Sequence, residues 1–231
     1  MGRIFNGTMK TFLEFLKEVP VIGILRDIPE GAEESCVKTA SQCGLKAIEV
    51  TMNTSAAEKI IGNLRNVANP LGIRVGAGTV RNERDLEKAL SAGAEFIVSP
   101  NAVKNVIETC VSCRIPSIPG ALSPTEVQNA YEWGATCVKI FPVENVGGAS
   151  YIRALRGPFR DIPLLACGGV SAKNVADYLR SGCDLVAFGG SIFSAEQMQN
   201  GNWESIGEKL SLFIKNATSE LYPKFQNQRT V

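Results

Sequence analysis

The stretch Glu83-Arg84-Asp85-Leu86-Glu87-Lys88-Ala89-Leu90-Ser91-Ala92-Gly93-Ala94-Glu95-Phe96-Ile97-Val98-Ser99-Pro100 contains the repeating unit of this chain. An amphipathic helical pattern runs from Glu83 to Ala92, a glycine stops it in the left-handed C-cap, and a short apolar run follows from Phe96 to Pro100. The unit recurs. Cys43-Gly44 precedes Ala47 to Met52, Trp133-Gly134 precedes Cys137 to Pro142, and Ser181-Gly182 precedes Leu185 to Gly190. Val21 to Arg26, Ile73 to Val80, Ile115 to Ala121 and Leu164 to Gly169 complete a set of strand candidates. Helical patterns lie between them at Ala32 to Cys43, Ala56 to Val67, Val103 to Cys113, Pro124 to Trp133, Ala149 to Leu155 and Ala172 to Arg180. Strand starts recur roughly every 20 to 27 residues, the spacing of parallel strands joined by helical crossovers. Eight such units close most simply as a parallel (βα)₈ TIM barrel, with a doubly wound open sheet as the alternative. Thr8 to Glu18 reads as a helix ahead of the first strand, and Lys224 to Val231 as a frayed polar tail. No composition break divides residues 1–231, so a single domain is expected.

Composition narrows the function. With 45% hydrophobic residues the chain is globular, and 24 Lys and Arg against 23 acids, without a basic block, argue against nucleic acid. No run has the length of a membrane span and the N-terminus lacks a signal-peptide core, so a soluble cytoplasmic protein is expected. Seven scattered cysteines suit free thiols in a reducing compartment. The pair Cys110 and Cys113 has the spacing of a metal or redox motif. However, the chain has no histidine and no second close cysteine pair, and a structural zinc wants four ligands. No metal and no cofactor are expected. Proton chemistry must fall to carboxylates, lysine, tyrosine, cysteine or water.

Lys139 stands in the apolar run Val138-Lys139-Ile140-Phe141-Pro142. A strand buried on both faces excludes charge, and a lysine held away from water tends toward the neutral, nucleophilic amine that forms Schiff bases with ketones. The alternatives are a lysine that snorkels past the strand end, or one half of a buried ion pair. Alternation turns Ala47, Glu49 and Thr51 to one face of the second strand and Cys137, Lys139 and Phe141 to one face of the sixth, so lysine and glutamate meet in the barrel interior. The other strand ends are polar or glycine-rich: Arg26, Asn53, Gly76-Ala77-Gly78-Thr79, Ser99-Pro100-Asn101 and Pro119-Gly120. Gly168-Gly169 and Gly189-Gly190-Ser191 end the seventh and eighth strands, where barrels commonly bind phosphate; a tight turn is the plainer reading of either pair alone.

From Val21 to Phe193 these motifs, with Ile48-Glu49-Val50-Thr51-Met52, Ile118-Pro119-Gly120, Gly147-Gly148 and Gly168-Gly169-Val170-Ser171, resemble the 2-keto-3-deoxy-6-phosphogluconate aldolases. The resemblance implies a class I aldolase on a (βα)₈ barrel, a homotrimer, splitting a 2-keto-3-deoxy sugar acid into pyruvate and an aldehyde. It implies Lys139 as the Schiff-base lysine, Glu49 as the proton carrier, and Thr79 as a carboxylate ligand. Pro100 and Phe141 would line the pyruvate pocket, while Gly168, Gly169, Gly189, Gly190 and Ser191 would form the phosphate loops.

Two positions depart from the common family pattern. Asn53 stands where many members have an arginine, and Arg26 ends the first strand, a combination that resembles the branch acting on the galactonate epimer. Arg26 would then supply the charge facing the substrate carboxylate. Cys167 stands where threonine or valine is usual and where a side chain can sense C4 stereochemistry. The shorter 4-hydroxy-2-oxoglutarate is a further candidate substrate. Two rivals remain on residues alone: a sugar-phosphate isomerase using Glu49 as base, and a non-catalytic sugar-acid binder.

Overall fold

The computed structural model describes residues 10–219, and within them nine short parallel strands form one sheet. They are β1 Val21–Leu25, β2 Ala47–Thr51, β3 Arg74–Gly78, β4 Ile97–Val98, β5 Ser117–Ile118, β6 Gly120–Ala121, β7 Val138–Ile140, β8 Leu164–Cys167 and β9 Leu185–Phe188. Their order is β5-β4-β3-β2-β1-β9-β8-β7-β6. The two ends of that order are consecutive halves of one strand, interrupted at Pro119. Proline has no N–H to give to a ladder, yet its carbonyl still accepts from the Lys139 N–H at 2.8 Å. β5 pairs with β4 while β6 pairs with β7, which closes the sheet into a barrel of eight strand positions. The eight expected strands are all present, the fifth being split.

Helices α1 Lys10–Phe15, α2 Glu33–Gln42, α3 Ala57–Ala68, α4 Glu83–Ser91, α5 Lys104–Ser112, α6 Pro124–Glu132, α7 Ala149–Arg156 and α8 Val175–Arg180 follow the expected pattern. Thr8 and Met9 of the expected first helix, and the tail Lys224 to Val231, lie outside the described residues. Local chemistry sets the helix ends. Asn82 caps α4 by accepting the Asp85 N–H at 2.9 Å, Ser123 and Glu126 form a reciprocal capping box on α6, and Gly93 takes φ +87 after α4.

Alternation along the strands divides the core into two shells. Ile48, Val50, Val138 and Ile140 face the helices, while Ile22, Ala47, Phe96, Val98, Ile118, Cys137 and Leu165 fill the barrel. Phe12 and Leu16 join the inner shell, and the Phe12 ring lies 5.0 Å from that of Phe96, so the N-terminal helix plugs the lower end of the barrel. Gly76 makes room for this packing: a Cβ there would fall 2.6 Å from the Phe96 ring.

Two helices were not expected, α9 Ala195–Gln199 and α10 Trp203–Ser219. α10 buries Ile206, Leu210, Phe213 and Ile214, and the Phe213 ring stands 4.9 Å from that of Phe188 on β9. It packs closely on α2, where the Cys43 thiol donates to the Gly207 carbonyl at 3.4 Å. Among the described residues no helix is long and apolar enough to cross a membrane.

Candidate active site

β2 and β7 carry the candidate carboxyl and lysine, Glu49 and Lys139. Register places Glu49 level with Ile24 and Gly76, and Lys139 level with Gly120 and Leu165. Both side chains turn inward and are almost wholly buried, Glu49 at 2% exposure and Lys139 at 6%. Glycines relieve two close approaches here, one at Glu49 and one at the Pro100 backbone. A Cβ on Gly78 would fall 2.6 Å from Glu49 Oε1, and one on Gly120 would collide with the Pro100 carbonyl.

Oε2 of Glu49 has no hydrogen-bond partner among the described residues. Burial pushes this carboxyl up to about 7, against the charges of Lys139 and Arg26, which pull it down. A carboxyl balanced there can both accept and return a proton near neutral pH. The Lys139 amine touches the Cys167 thiol and sits 4.8 Å from the centre of the Phe141 ring. Burial raises the Cys167 thiol, partly countered by that lysine. The lysine therefore does not snorkel out of the barrel, and it lies against the thiol and the ring.

A cavity of about 520 Å³ opens above this pair at the C-terminal mouth. Arg26 and Asp27 form one wall, Phe141 and Cys167 reach toward Lys139, and Gly168, Gly169, Gly189, Gly190 and Ser191 form the other side. Gly168 and Gly169 take φ +94 and +82, and Gly169 abuts the Glu144 side chain closely enough to leave no room for a Cβ. The Ser191 hydroxyl donates to the Val170 carbonyl at 3.2 Å, tying the two glycine segments together. Thr79 sits half-buried at the end of β3 with φ +57, a strained conformation for a β-branched residue. Pro100 is half-buried beside Gly120.

Glu49, Lys139, Thr79 and Pro100 do not themselves line this cavity, and neither does Asn53, which is exposed on the turn after β2. Residues the sequence reading passed over are Asp27, Thr54, Glu144 and the inward role of Gly78. Asp27 and Thr54 directly follow Arg26 and Asn53, which was the available signal. Cys110 is buried and Cys113 exposed, both as free thiols. A second concavity, of about 510 Å³ between α2 and α10, has only exposed charges, Lys38 and Glu204.

The chain matches the family of KDPG and KHG aldolases over residues 12–209. It is 34% identical over 198 residues to the 2-dehydro-3-deoxy-phosphogluconate aldolase of Haemophilus influenzae, covering 84% of this chain and 90% of that one. A solved structure described as native KDPGal superposes with a TM-score of 0.83 at 29% identity, over 89% of this chain and 97% of the other. The KDPG aldolase of Legionella pneumophila, solved with pyruvate captured as a covalent carbinolamine, gives a TM-score of 0.76 at 27% identity, over 86% and 96%. With a whole-barrel match in sequence and in structure, this chain belongs to the KDPG and KHG aldolase family of carbon-carbon lyases.

Proposed function

We infer that this chain is a class I aldolase cleaving a 2-keto-3-deoxy-6-phospho sugar acid to pyruvate and glyceraldehyde 3-phosphate. The observation that carries this reading is a buried lysine sharing the barrel interior with a buried carboxyl balanced near pH 7. Lys139 Nζ attacks the C2 ketone to give a carbinolamine. Glu49 gives a proton to the departing hydroxyl, water leaves, and an iminium remains. The carboxylate so formed then takes the C4 hydroxyl proton through a bound water. The C3–C4 bond breaks, its electrons pass to the iminium as an enamine, and the aldehyde departs. Protonation at C3 and hydrolysis release pyruvate and the free lysine.

Arg26, on the cavity wall beside Asp27, would pair with the substrate carboxylate, with Thr79 at the end of β3 as a second ligand. Pro100 and Phe141 bound the pyruvate site. The segments Gly168-Gly169 and Gly189-Gly190-Ser191 offer backbone N–H groups to the phosphate at the far wall. Arg26 with Asn53, the combination resembling the galactonate-acting branch, favours that epimer, and Cys167 is the side chain nearest Lys139 able to sense C4. A shorter 4-hydroxy-2-oxoglutarate fits the same chemistry, giving glyoxylate. The reading extends to a cytoplasmic homotrimer of single-domain subunits needing neither metal nor cofactor, which light scattering and assay under chelation test.

The deciding experiment is incubation with pyruvate and borohydride, followed by intact mass and peptide mapping. A reduced pyruvyl adduct on Lys139, absent in Lys139→Ala together with turnover, is the expected result. Turnover without any adduct would point to an isomerase, and binding without turnover to a sugar-acid binder.

A further inference from the structure

The two loops that carry Arg26 and Asn53 are joined by one hydroxyl. Thr51 to Thr54 forms a turn at the exit of β2, in which the Thr54 N–H donates to the Thr51 carbonyl at 2.8 Å and the two side-chain oxygens lie 2.9 Å apart. Thr54 Oγ1 also accepts the Asp27 N–H at 3.1 Å, across to the exit of β1. Asp27 holds φ +54, a region that residues with a Cβ avoid. The backbone bond from Thr54 therefore holds a conformation the chain would otherwise leave, immediately after Arg26.

Neither hydroxyl can be replaced by water without rearrangement, because Thr51 is 1% exposed and Thr54 5%. Thr51 lies two residues beyond Glu49 on the same inward face of β2. The clamp thus refers the direction of Arg26 to the strand that carries the proton carrier. We propose that Thr54 is a positioning residue, whose hydroxyl fixes the Arg26-Asp27 backbone so that the guanidinium meets the substrate carboxylate. The inference rests on the reading of Arg26 as the carboxylate's partner. Thr54 touches no substrate itself.

The test is steady-state condensation of pyruvate with glyceraldehyde 3-phosphate by Thr54→Val, Thr54→Ser, Arg26→Ala and the Thr54→Val/Arg26→Ala double variant. Losing one buried hydrogen bond predicts that Thr54→Val raises KM for pyruvate about fivefold to tenfold, with kcat within about twofold. Thr54→Ser, which keeps the hydroxyl, restores KM. In the Arg26→Ala background Thr54→Val adds nothing, because the group it aims is gone. An unchanged KM in Thr54→Val, an equal rise in the Arg26→Ala background, or failure of serine to restore KM would overturn the proposal. If Arg26→Ala alone leaves KM unchanged, the carboxylate role of Arg26 falls and this inference with it. Borohydride trapping at Lys139 still reports separately on the aldolase reading.

Discussion

Gly78 of β3 lies directly against the carboxylate of Glu49 on β2, so that a single methyl group there would fall 2.6 Å from Oε1. The absence of a side chain on one strand is what lets the neighbouring strand hold a buried acid facing Lys139. Gly78→Ala must push Glu49 aside. Displacing a catalytic group by about 1 Å can cost on the order of 100-fold, and kcat/KM for cleavage is expected to fall by that order. An undiminished rate would show that the carboxylate's place is not critical.

The Glu49 carboxyl, raised by burial to about 7, sets the pH behaviour. Glu49 enters the reaction as the acid that dehydrates the carbinolamine, so kcat/KM should fall with pH along a basic limb whose midpoint lies near 7. Glu49→Gln should lose both the limb and most of the activity. A profile flat from pH 5 to about 8 would remove Glu49 from the proton path.

The same shift has a consequence for stability. A carboxyl with a raised folded value favours the folded state below its unfolded value of 4.5, and that contribution is lost as pH climbs through about 7. Above that, the cost approaches about 3 kcal/mol by linkage. Glu49→Gln, which is neutral throughout, should therefore gain on the native chain in denaturant midpoint between pH 5 and pH 8. Parallel pH dependences in the two proteins would refute the shift.

Gly169 combines φ +82 with a Glu144 side chain packed against its α-carbon. Gly169→Ala should distort the loop and weaken its N–H contacts to a phosphate, raising KM for glyceraldehyde 3-phosphate about tenfold. KM for pyruvate should stay within about twofold, since the proposed carboxylate partner Arg26 lies at the other wall. Equal effects on both would mean that the loop does not serve the phosphate.

Phe213 on α10 is fully buried against Phe188. Phe213→Ala should destabilise the fold by about 3 to 5 kcal/mol, read as a lower denaturant midpoint. A loss under about 1 kcal/mol would mean that the helix is dispensable to the barrel.

The barrel was legible because its punctuation is local. Helix-ending glycines such as Gly93 and Gly134 precede short apolar runs, and alternation alone separates Glu49 and Lys139 from Ile48 and Val138. The split of the fifth strand turned on Pro119, whose missing N–H breaks the ladder without moving the chain out of the wall. α10 went unread although Ile206, Leu210, Phe213 and Ile214 have helical spacing, because the glycine-strand rhythm stops before it. At the site, the charged and glycine residues were evident. The Thr54 clamp was not, since a threonine after Asn53 looks like any turn residue until the fold brings Asp27 to it. Asn53 was placed by its strand, but the turn carries it out to solvent.

Phe12 and Leu16 stop the barrel from below, so the well that leads past Phe141 and Cys167 to Lys139 opens at the C-terminal mouth. A fragment tethered to the lysine lies beneath whatever occupies the rim. Cleavage must then release its products in sequence, aldehyde first and pyruvate last, and synthesis must load them in the opposite order. Pyruvate added to the cleavage reaction should accordingly compete with the sugar acid for the empty well, while the aldehyde should meet only the form already carrying pyruvate.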